Sequence, residues 1–188
     1  NPTKHFPVLY MQDGQNLFDH QTAYKGRAWE LDKSTRNAIK NNEIIPCIIV
    51  GISNVDTRFF EYFPQKATIY LTKDDYVLME QGGLEQASDT SNYLADNYLK
   101  FLVNELKPFI DKNYRTKTEA ASTAIGGSSS GALISLYAIC EYPQIFGQAA
   151  CISTHWSVLF DNEFISPSES IRTYLKHKLP DPKTHRIY

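Results

Sequence analysis

The sequence predicts an α/β fold in which a mostly parallel, doubly wound sheet carries helices on both faces. Short apolar, β-branched segments alternate with segments of helical length and pattern along most of the 188 residues. Parallel strands need crossover helices, so this repeated alternation favours a parallel sheet over an antiparallel one. A chain of this length is expected to form a single domain, residues 1–188.

The first strand-helix-strand unit is predicted near the start of the chain. An apolar run covers 7–11 and a longer β-branched run covers 44–52, and both indicate strands that are buried on two faces. Between them, apolar residues are set among charged ones from about 28 to 41. This pattern is typical of an amphipathic helix on a sheet, with Trp29 in the core.

The middle of the chain is less regular. Residues 54–87 are rich in aromatic residues and turn formers, and they read as a long loop of the kind that often carries function. Apolar residues then recur at helical spacing from about 90 to 111. This spacing predicts the strongest helix of the chain, with Phe101 and Phe109 in the core.

The alternation resumes in the second half of the sequence. A strand of small residues is predicted at 121–126, a helix from about 131 to 141 and a strand from about 148 to 153. An irregular stretch around 161–168 leads into a helix from about 169 to 178. The last residues, from His185, resemble the opening of another strand.

Composition and charge exclude several classes of partner. With 19 Lys and Arg against 21 Asp and Glu, the chain has no basic excess for nucleic acid or an anionic membrane. No apolar run approaches the roughly 18 to 20 residues that span a bilayer. Cys47, Cys140 and Cys151 are dispersed, so they are expected to be buried free thiols, and they leave the compartment open with a slight preference for the cytoplasm.

The sharpest motif is a Gly-x-Ser-x-Gly at 127–131, where a predicted strand gives way to a helix. In this setting the motif is typical of a nucleophile elbow, a strained turn that lifts a serine hydroxyl above the sheet. Gly127 and Gly131 remove side chains that would collide where strand and helix cross. Of the three adjacent serines, only Ser129 has a glycine two residues away on both sides, so Ser129 is the candidate nucleophile.

Other segments match one family in order and spacing. They are 8–19, 49–54 with Arg58 and Glu61-Tyr62 following, 101–116, and the elbow with its continuation to 147. On these segments the chain resembles the Putative esterase family of α/β-hydrolases, whose members include esterase D, enterochelin esterases, feruloyl esterases and mycolyltransferases. The resemblance implies an α/β-hydrolase fold.

The resemblance also implies a mechanism. Ser129 would attack the carbonyl of a carboxylic ester and form an acyl-enzyme. Two backbone N–H groups would hold the oxyanion of the tetrahedral intermediate. One belongs to Ser130, and the other, from its place in the loop after the first strand, to Gln15.

Five further residues are candidate substrate contacts, because they fall at the carboxyl ends of strands, where open α/β sheets bind ligands. Each of them could instead serve the structure of a loop. His155 in particular stands where the family tends to have Ser-Pro or a close variant before a Trp, and a plain loop histidine is the alternative. The five are Asn16, Arg58, Tyr62, His155 and Trp156.

The acid and the base of the triad are not found in the expected places. In α/β-hydrolases the acid and the histidine follow later strands than the nucleophile. We therefore expect both beyond Tyr188, and the family's antiparallel strands before Val8. The chain is expected to be the middle of a domain truncated at both ends, and inactive on its own.

Two alternatives stay open at this point. An acyltransferase on the same fold would differ only in whether water or an acceptor hydroxyl resolves the acyl-enzyme. A non-catalytic α/β-hydrolase-like binding module would need neither acid nor base. The expected ligand is a small-molecule ester, with siderophore or carbohydrate esters slightly preferred, and no metal or organic cofactor is implied.

Overall fold

The fold is built on one parallel sheet of five strands, seen in a computed structural model that describes residues 3–156 and 166–188. The strands are β1 (Val8–Gln12), β2 (Ile48–Ile52), β3 (Thr123–Ser128), β4 (Gln148–Ile152) and β5 (Arg186–Ile187). Their order across the sheet is β2-β1-β3-β4-β5, and every pairing is parallel. The predicted α/β class and parallel sheet are confirmed.

Seven α-helices connect or flank the strands in the described part of the chain. They are α1 (Leu31–Lys40), α2 (Arg58–Tyr62), α3 (Lys73–Gln81), α4 (Ala95–Phe101), α5 (Lys107–Asn113), α6 (Ser130–Glu141) and α7 (Ser166–Lys178). The chain leaves β1 in one direction across the sheet to reach β2, and it leaves β3 in the opposite direction to reach β4. Since such crossovers are right-handed, α1 and α6 lie on opposite faces, which is the doubly wound arrangement.

The core is centred on α6. Every residue of this helix from Ser130 to Cys140 is buried, and the helix packs on β3 and β4. A helix that is apolar on all sides is stable only when it is enclosed in this way. On β3, a Cβ at Gly126 would lie 3.0 Å from the Cβ of Ala150 on the neighbouring strand β4, so a larger residue at 126 would be crowded within the sheet.

The second strand differs from its prediction. β2 begins at Ile48 rather than at 44, and Ile45 before it is exposed. Among the described residues β2 pairs on one side only, with β1, and most of its residues are half-buried. The predicted burial on two faces is therefore wrong for the described part of the chain, where β2 has no second neighbouring strand, and Pro46 cannot donate the hydrogen bond that a longer strand would need.

The predicted helix over 90–111 is interrupted. It begins at Ala95, and a π-helical turn over Leu102–Leu106 separates α4 from α5. Phe101 and Phe109 are 40% and 59% exposed, so their placement in the core was wrong. The inserted residue of a π turn rotates the face that follows it, and Pro108, which has no N–H to donate, sits just after the insertion.

The segment predicted as a long loop contains helices. Residues 54–87 hold α2, a 3₁₀ helix over Gln65–Tyr70, and α3, whose start carries a capping box between Thr72 and Asp75. The irregular stretch predicted around 161–168 lies outside the described residues up to 165, and α7 begins at Ser166. Nowhere in the described ranges is there a helix with the length and apolar character needed to cross a membrane.

The three cysteines are free, as predicted. Cys140 is buried, whereas Cys47 and Cys151 are half-buried. Burial raises the pKa of Cys140 to about 12 and that of Cys151 to about 11, so both thiols are protonated at neutral pH. Neither group behaves as a reactive thiolate.

Candidate active site

Ser129 occupies a strained turn between β3 and α6. Its φ of 58° and ψ of −124° lie in a region that residues other than glycine rarely adopt. The turn is held from both sides, since the Ser129 N–H donates to the carbonyl of Ile152 (3.1 Å) and the N–H groups of Ala132 and Leu133 donate to the carbonyl of Ser129 (3.1 and 3.2 Å). This is the backbone geometry that a nucleophile elbow requires.

The glycines of the elbow permit a backbone-to-backbone crossing. A Cβ at Gly127 would lie 2.7 Å from both the carbonyl carbon and the carbonyl oxygen of Gly131. A Cβ at Gly131 would lie 3.0 Å from the Cβ of Gln12 and from a carboxylate oxygen of Asp13. The crowding that the sequence predicts at both glycines is confirmed.

A cleft of about 530 Å³ opens beside Ser129, at the carboxyl ends of β1, β2 and β3. Five of the predicted site residues line this cleft together with Ser129: Gln15, Asn16, Arg58, Ser130 and His155. Two of the predicted residues lie elsewhere. Tyr62 is buried beneath the Arg58 guanidinium, 4.9 Å from its carbon to the ring centroid, and Trp156 lines a separate groove beside α7.

Two residues that line this cleft stand at the starts of helical turns. Ser130 is the first residue of α6, and Gln15 is the second residue of a 3₁₀ turn over Gly14–Asn16. The first N–H groups of a helix have no acceptor within the helix, and they carry the positive end of the helix dipole. Both groups are therefore suited to hold a developing negative charge near Ser129.

Arg58 and Asp13 form a bidentate ion pair in the cleft wall. Arg58 donates from Nε and Nη2 to the two carboxylate oxygens of Asp13, at 2.7 and 2.8 Å. Burial opposes the charge of Arg58, but the bonds and the charge of Asp13 outweigh it and raise the pKa of the guanidinium. Arg58 was predicted in a loop, and it is instead the first residue of α2. Sequence reasoning missed Asp13, although it directly precedes Gly14 at the end of the first strand.

His155 lies beside the elbow. Its backbone N–H donates to the carbonyl of Ser129 at 3.2 Å, and the residue lines both the cleft and a small apolar pocket that it shares with Phe59 and Leu133. Burial and the nearby charge of Arg58 lower the pKa of the imidazole, so His155 is neutral at pH 7. It is the one histidine, among the five of the chain, that lines the cleft.

The rim of the cleft is aromatic. Tyr24, Trp29 and Phe59 line the cleft. Asn16 holds the backbone of the first two, since its side-chain oxygen accepts from the Tyr24 N–H (2.8 Å) and its carbonyl accepts from the Trp29 N–H (2.9 Å). Trp29 is 42% exposed, so its predicted place in the core was wrong. The reason is local, because Glu30 has a left-handed conformation and α1 begins only after it.

Within the described ranges, no three His, Cys, Asp or Glu residues are grouped closely enough to hold a metal ion.

A parallel α/β sheet with a serine on a strained strand-to-helix turn defines the α/β-hydrolase class. A comparison with protein families agrees, since the family model described as "Putative esterase" matches residues 1–185. The chain belongs to this family.

Curated relatives cover the chain over most of its length. The "Uncharacterized protein YbbA" of Bacillus subtilis is 30% identical over 152 residues, which are 80% of this chain and 51% of that protein. The endo-1,4-beta-xylanase/feruloyl esterase of Xylanibacter ruminicola is 25% identical over 181 residues, 95% of this chain and 18% of that protein. The chain thus spans about half the length of the first of these relatives and 18% of the second.

Solved structures share the fold. The match to the enterochelin esterase of Shigella flexneri has a TM-score of 0.62 at 19% identity. It covers 98% of this chain and 37% of the esterase chain. The match to a feruloyl esterase module from Clostridium thermocellum, complexed with sinapinate, has a TM-score of 0.57 at 14% identity. It covers 100% of this chain and 56% of the module. At these identities the likeness establishes the fold alone.

Proposed function

We propose that this protein is a serine hydrolase that cleaves a carboxylic ester through an acyl-enzyme on Ser129. The observation that carries the proposal is the strained Ser129 backbone, with φ 58° and ψ −124°, at the edge of a cleft. Strain of this kind persists only where the surrounding structure holds it, and it concentrates at functional sites. Family membership supports the same reaction class.

In the proposed reaction, Ser129 Oγ attacks the ester carbonyl and its proton passes to a general base. The carbonyl oxygen becomes an oxyanion, which the N–H groups of Ser130 and Gln15 stabilise. The intermediate expels the alcohol, which takes the proton from the base, and an acyl-enzyme remains on Ser129. Water then attacks the acyl carbonyl and gives its proton to the base. The second intermediate expels Ser129 Oγ, which takes that proton back, and the acid is released. Loss of one oxyanion donor typically costs about 2.7–4 kcal/mol of transition-state stabilisation.

The general base in this proposal is a histidine that follows Tyr188 in the full protein, oriented by an acid, in the order usual for α/β-hydrolases. We assign His155 to the cleft wall instead. Its backbone amide is bonded to the elbow and the residue lines an apolar pocket with Phe59 and Leu133, which suits contact with a substrate.

The proposed substrate is an ester of a siderophore or of a carbohydrate. Tyr24, Trp29 and Phe59 give the cleft three aromatic walls, and such walls bind flat rings by stacking and apolar contact. Among proteins of similar fold, one is described as an enterobactin esterase and another as a feruloyl esterase module bound to sinapinate. These descriptions motivate the first substrates to screen.

The test is reaction with a fluorophosphonate probe, followed by mass spectrometry of the labelled peptide. It is run on the full-length protein and on residues 1–188 in parallel. We expect an adduct on Ser129 in the full-length protein, and little or none on residues 1–188, where the proposed base is missing.

Matched variants locate the nucleophile among the three serines of the elbow. Ser129→Ala should abolish the adduct, whereas Ser128→Ala and Ser130→Ala should still form it on Ser129, because the latter removes a hydroxyl but keeps the backbone N–H. Absence of an adduct from the folded full-length protein would overturn the proposal in favour of a binding module. An adduct on Ser128 or Ser130 would overturn the assignment of the nucleophile.

A further inference from the structure

The carboxylate of Asp13 is held by three hydrogen bonds in the wall of the cleft. Arg58 donates to both oxygens at 2.7 and 2.8 Å, and Asn54 Nδ2 donates to Oδ1 at 2.6 Å. The residue is 8% exposed. Bidentate bonds between a guanidinium and a carboxylate fix orientation as well as distance. Arg58 and Asp13 thus form a fixed, largely buried ion pair, called the Asp13–Arg58 joint below, unlike a solvated surface ion pair.

The same joint holds the loop that carries Gln15. Asp13 has a left-handed backbone, with φ 54° and ψ 48°, and its carbonyl accepts from the N–H of Asn16 at 2.9 Å, which closes the 3₁₀ turn. The backbone N–H of Asn54 donates to the side-chain oxygen of Gln15 at 3.2 Å. Asn54 therefore binds the loop at two points, one on each side of Gly14.

On its other side, Asp13 faces the start of α6. A Cβ at Gly131 would lie only 3.0 Å from Asp13 Oδ2, so the carboxylate lies against the helix backbone one residue after Ser130. The positive end of the helix dipole favours a negative charge there. Asp13 thus belongs to the loop that carries one proposed oxyanion donor, and it packs against the helix that carries the other.

From this juxtaposition we propose that Asp13 is a positioning residue that sets the spacing between the N–H groups of Gln15 and Ser130. The inference rests on the proposed function of these two groups. It also assigns Arg58 a role through Asp13, as the clamp that holds the carboxylate in place, rather than as a direct contact of the ester.

The expected effect follows from the distances that an oxyanion site needs. Donors act at about 2.7–3.1 Å from the oxyanion, and a misplacement of about 1 Å can cost on the order of 100-fold in rate. In Asp13→Asn, the new amide turns an N–H group towards Arg58 or Asn54, so at least one of the three bonds is lost. We expect the maximal rate of fluorophosphonate labelling to fall about 10- to 100-fold, with the half-saturating probe concentration unchanged.

The experiment compares full-length wild type with Asp13→Asn, Arg58→Gln and the double variant, at several probe concentrations. Because Asp13 and Arg58 act as one joint, the double variant should be no slower than the slower single variant. Arg58→Lys keeps the charge but loses the bidentate geometry, and it should label at an intermediate rate. This milder variant provides the test if Asp13→Asn does not fold.

Asp111→Asn is the matched control. Asp111 pairs with Lys107 at 2.6 Å, and their side chains are 19% and 7% exposed. The side chains of Asp13 and Arg58 are similarly buried, at 12% and 22% exposed. Asp111 lies on α5, however, and does not line the cleft. This control should lower stability and leave the labelling rate of the folded protein at the wild-type value.

Each outcome decides between the two claims. Labelling of Asp13→Asn at the wild-type rate, or slowing that matches the Asp111→Asn control, would overturn the positioning role and leave the hydrolase proposal intact. Multiplicative effects in the double variant would overturn the coupling through Arg58. A folded wild-type protein that does not react would overturn the proposed function, and the inference about Asp13 with it.

Discussion

The crossing of β3 and α6 predicts that Gly127→Ala is severe. The added Cβ would lie 2.7 Å from the carbonyl carbon and oxygen of Gly131 and 2.9 Å from the Cβ of Gln12. Carbon atoms pack best at about 3.5–4.0 Å, so strand and helix must separate by about 0.8 Å. Neither can do so freely, because α6 is buried along nearly its whole length.

The magnitude follows from this overlap. Overpacking in a core costs about 1–3 kcal/mol, and contacts with the backbone of α6 and with the Cβ of Gln12 on β1 place this variant at about 3 kcal/mol. For a chain of this size that corresponds to a fall in Tm of roughly 6–12 °C. The displaced helix start also moves the Ser130 N–H, so labelling of the folded variant should slow by about 100-fold.

The assay is urea unfolding followed by circular dichroism, with probe labelling of the folded fraction. Gly83→Ala is the control, since a Cβ there meets nothing within 4 Å and its cost comes only from a φ of +95°. It should lose about 1 kcal/mol and keep its labelling rate. If Gly127→Ala is within about 0.5 kcal/mol of wild type, the tight crossing is refuted.

Three further predictions concern the rim, the cleft wall and the packing of α7. Trp29→Ala should raise KM for an aromatic ester several-fold with little change in the free energy of unfolding, as steady-state kinetics will show. His155→Gln should lose less stability than wild type between pH 7 and pH 5, because burial and Arg58 lower the pKa of the native imidazole and the unfolded state therefore binds the proton first. Tyr174→Phe removes the 2.7 Å bond from the phenol to Glu141 and should cost about 1.5 kcal/mol in urea unfolding.

Each of these predictions has a matched variant. Tyr114→Ala removes an exposed aromatic residue outside the cleft, and it should leave KM unchanged. His5→Gln removes an exposed histidine, and an equal flattening of the pH dependence in this variant would contradict the role given to His155. Tyr70→Phe removes a more exposed phenol, and a loss of stability as large as that of Tyr174→Phe would show that the bond to Glu141 carries no specific contribution.

The parts of the fold that could be predicted from the sequence are those with a local signal. β1 is a short apolar run, β3 is a strand of small residues, and α6 is an apolar segment that begins within the Gly-x-Ser-x-Gly motif. In each segment the local residue pattern indicates the conformation, and packing within the sheet and its helices then buries it. The elbow could be predicted because its signal is also local. The turn at Ser129 has no room for side chains two residues away on either side, and the sequence has glycines at both positions.

The failures arise where distant contacts decide the outcome. The partial burial of β2 depends on which strands lie beside it, and among the described residues that is β1 alone; no local pattern in the sequence indicates this. Trp29 was placed on a helix because apolar periodicity ignores the left-handed Glu30 that delays the helix start. Asp13 and Arg58 are 45 residues apart in the chain, so neither residue alone indicates the joint that they form.

We propose above that Ser129 is the nucleophile and that the N–H groups of Ser130 and Gln15 hold the oxyanion. The most direct measurement is a crystal structure of the full-length protein after reaction with the fluorophosphonate. We expect phosphorus bonded to Ser129 Oγ, with the phosphoryl oxygen about 2.7–3.1 Å from both backbone nitrogens. A phosphorus bonded to another serine, or a phosphoryl oxygen that points into solvent away from both N–H groups, would contradict it.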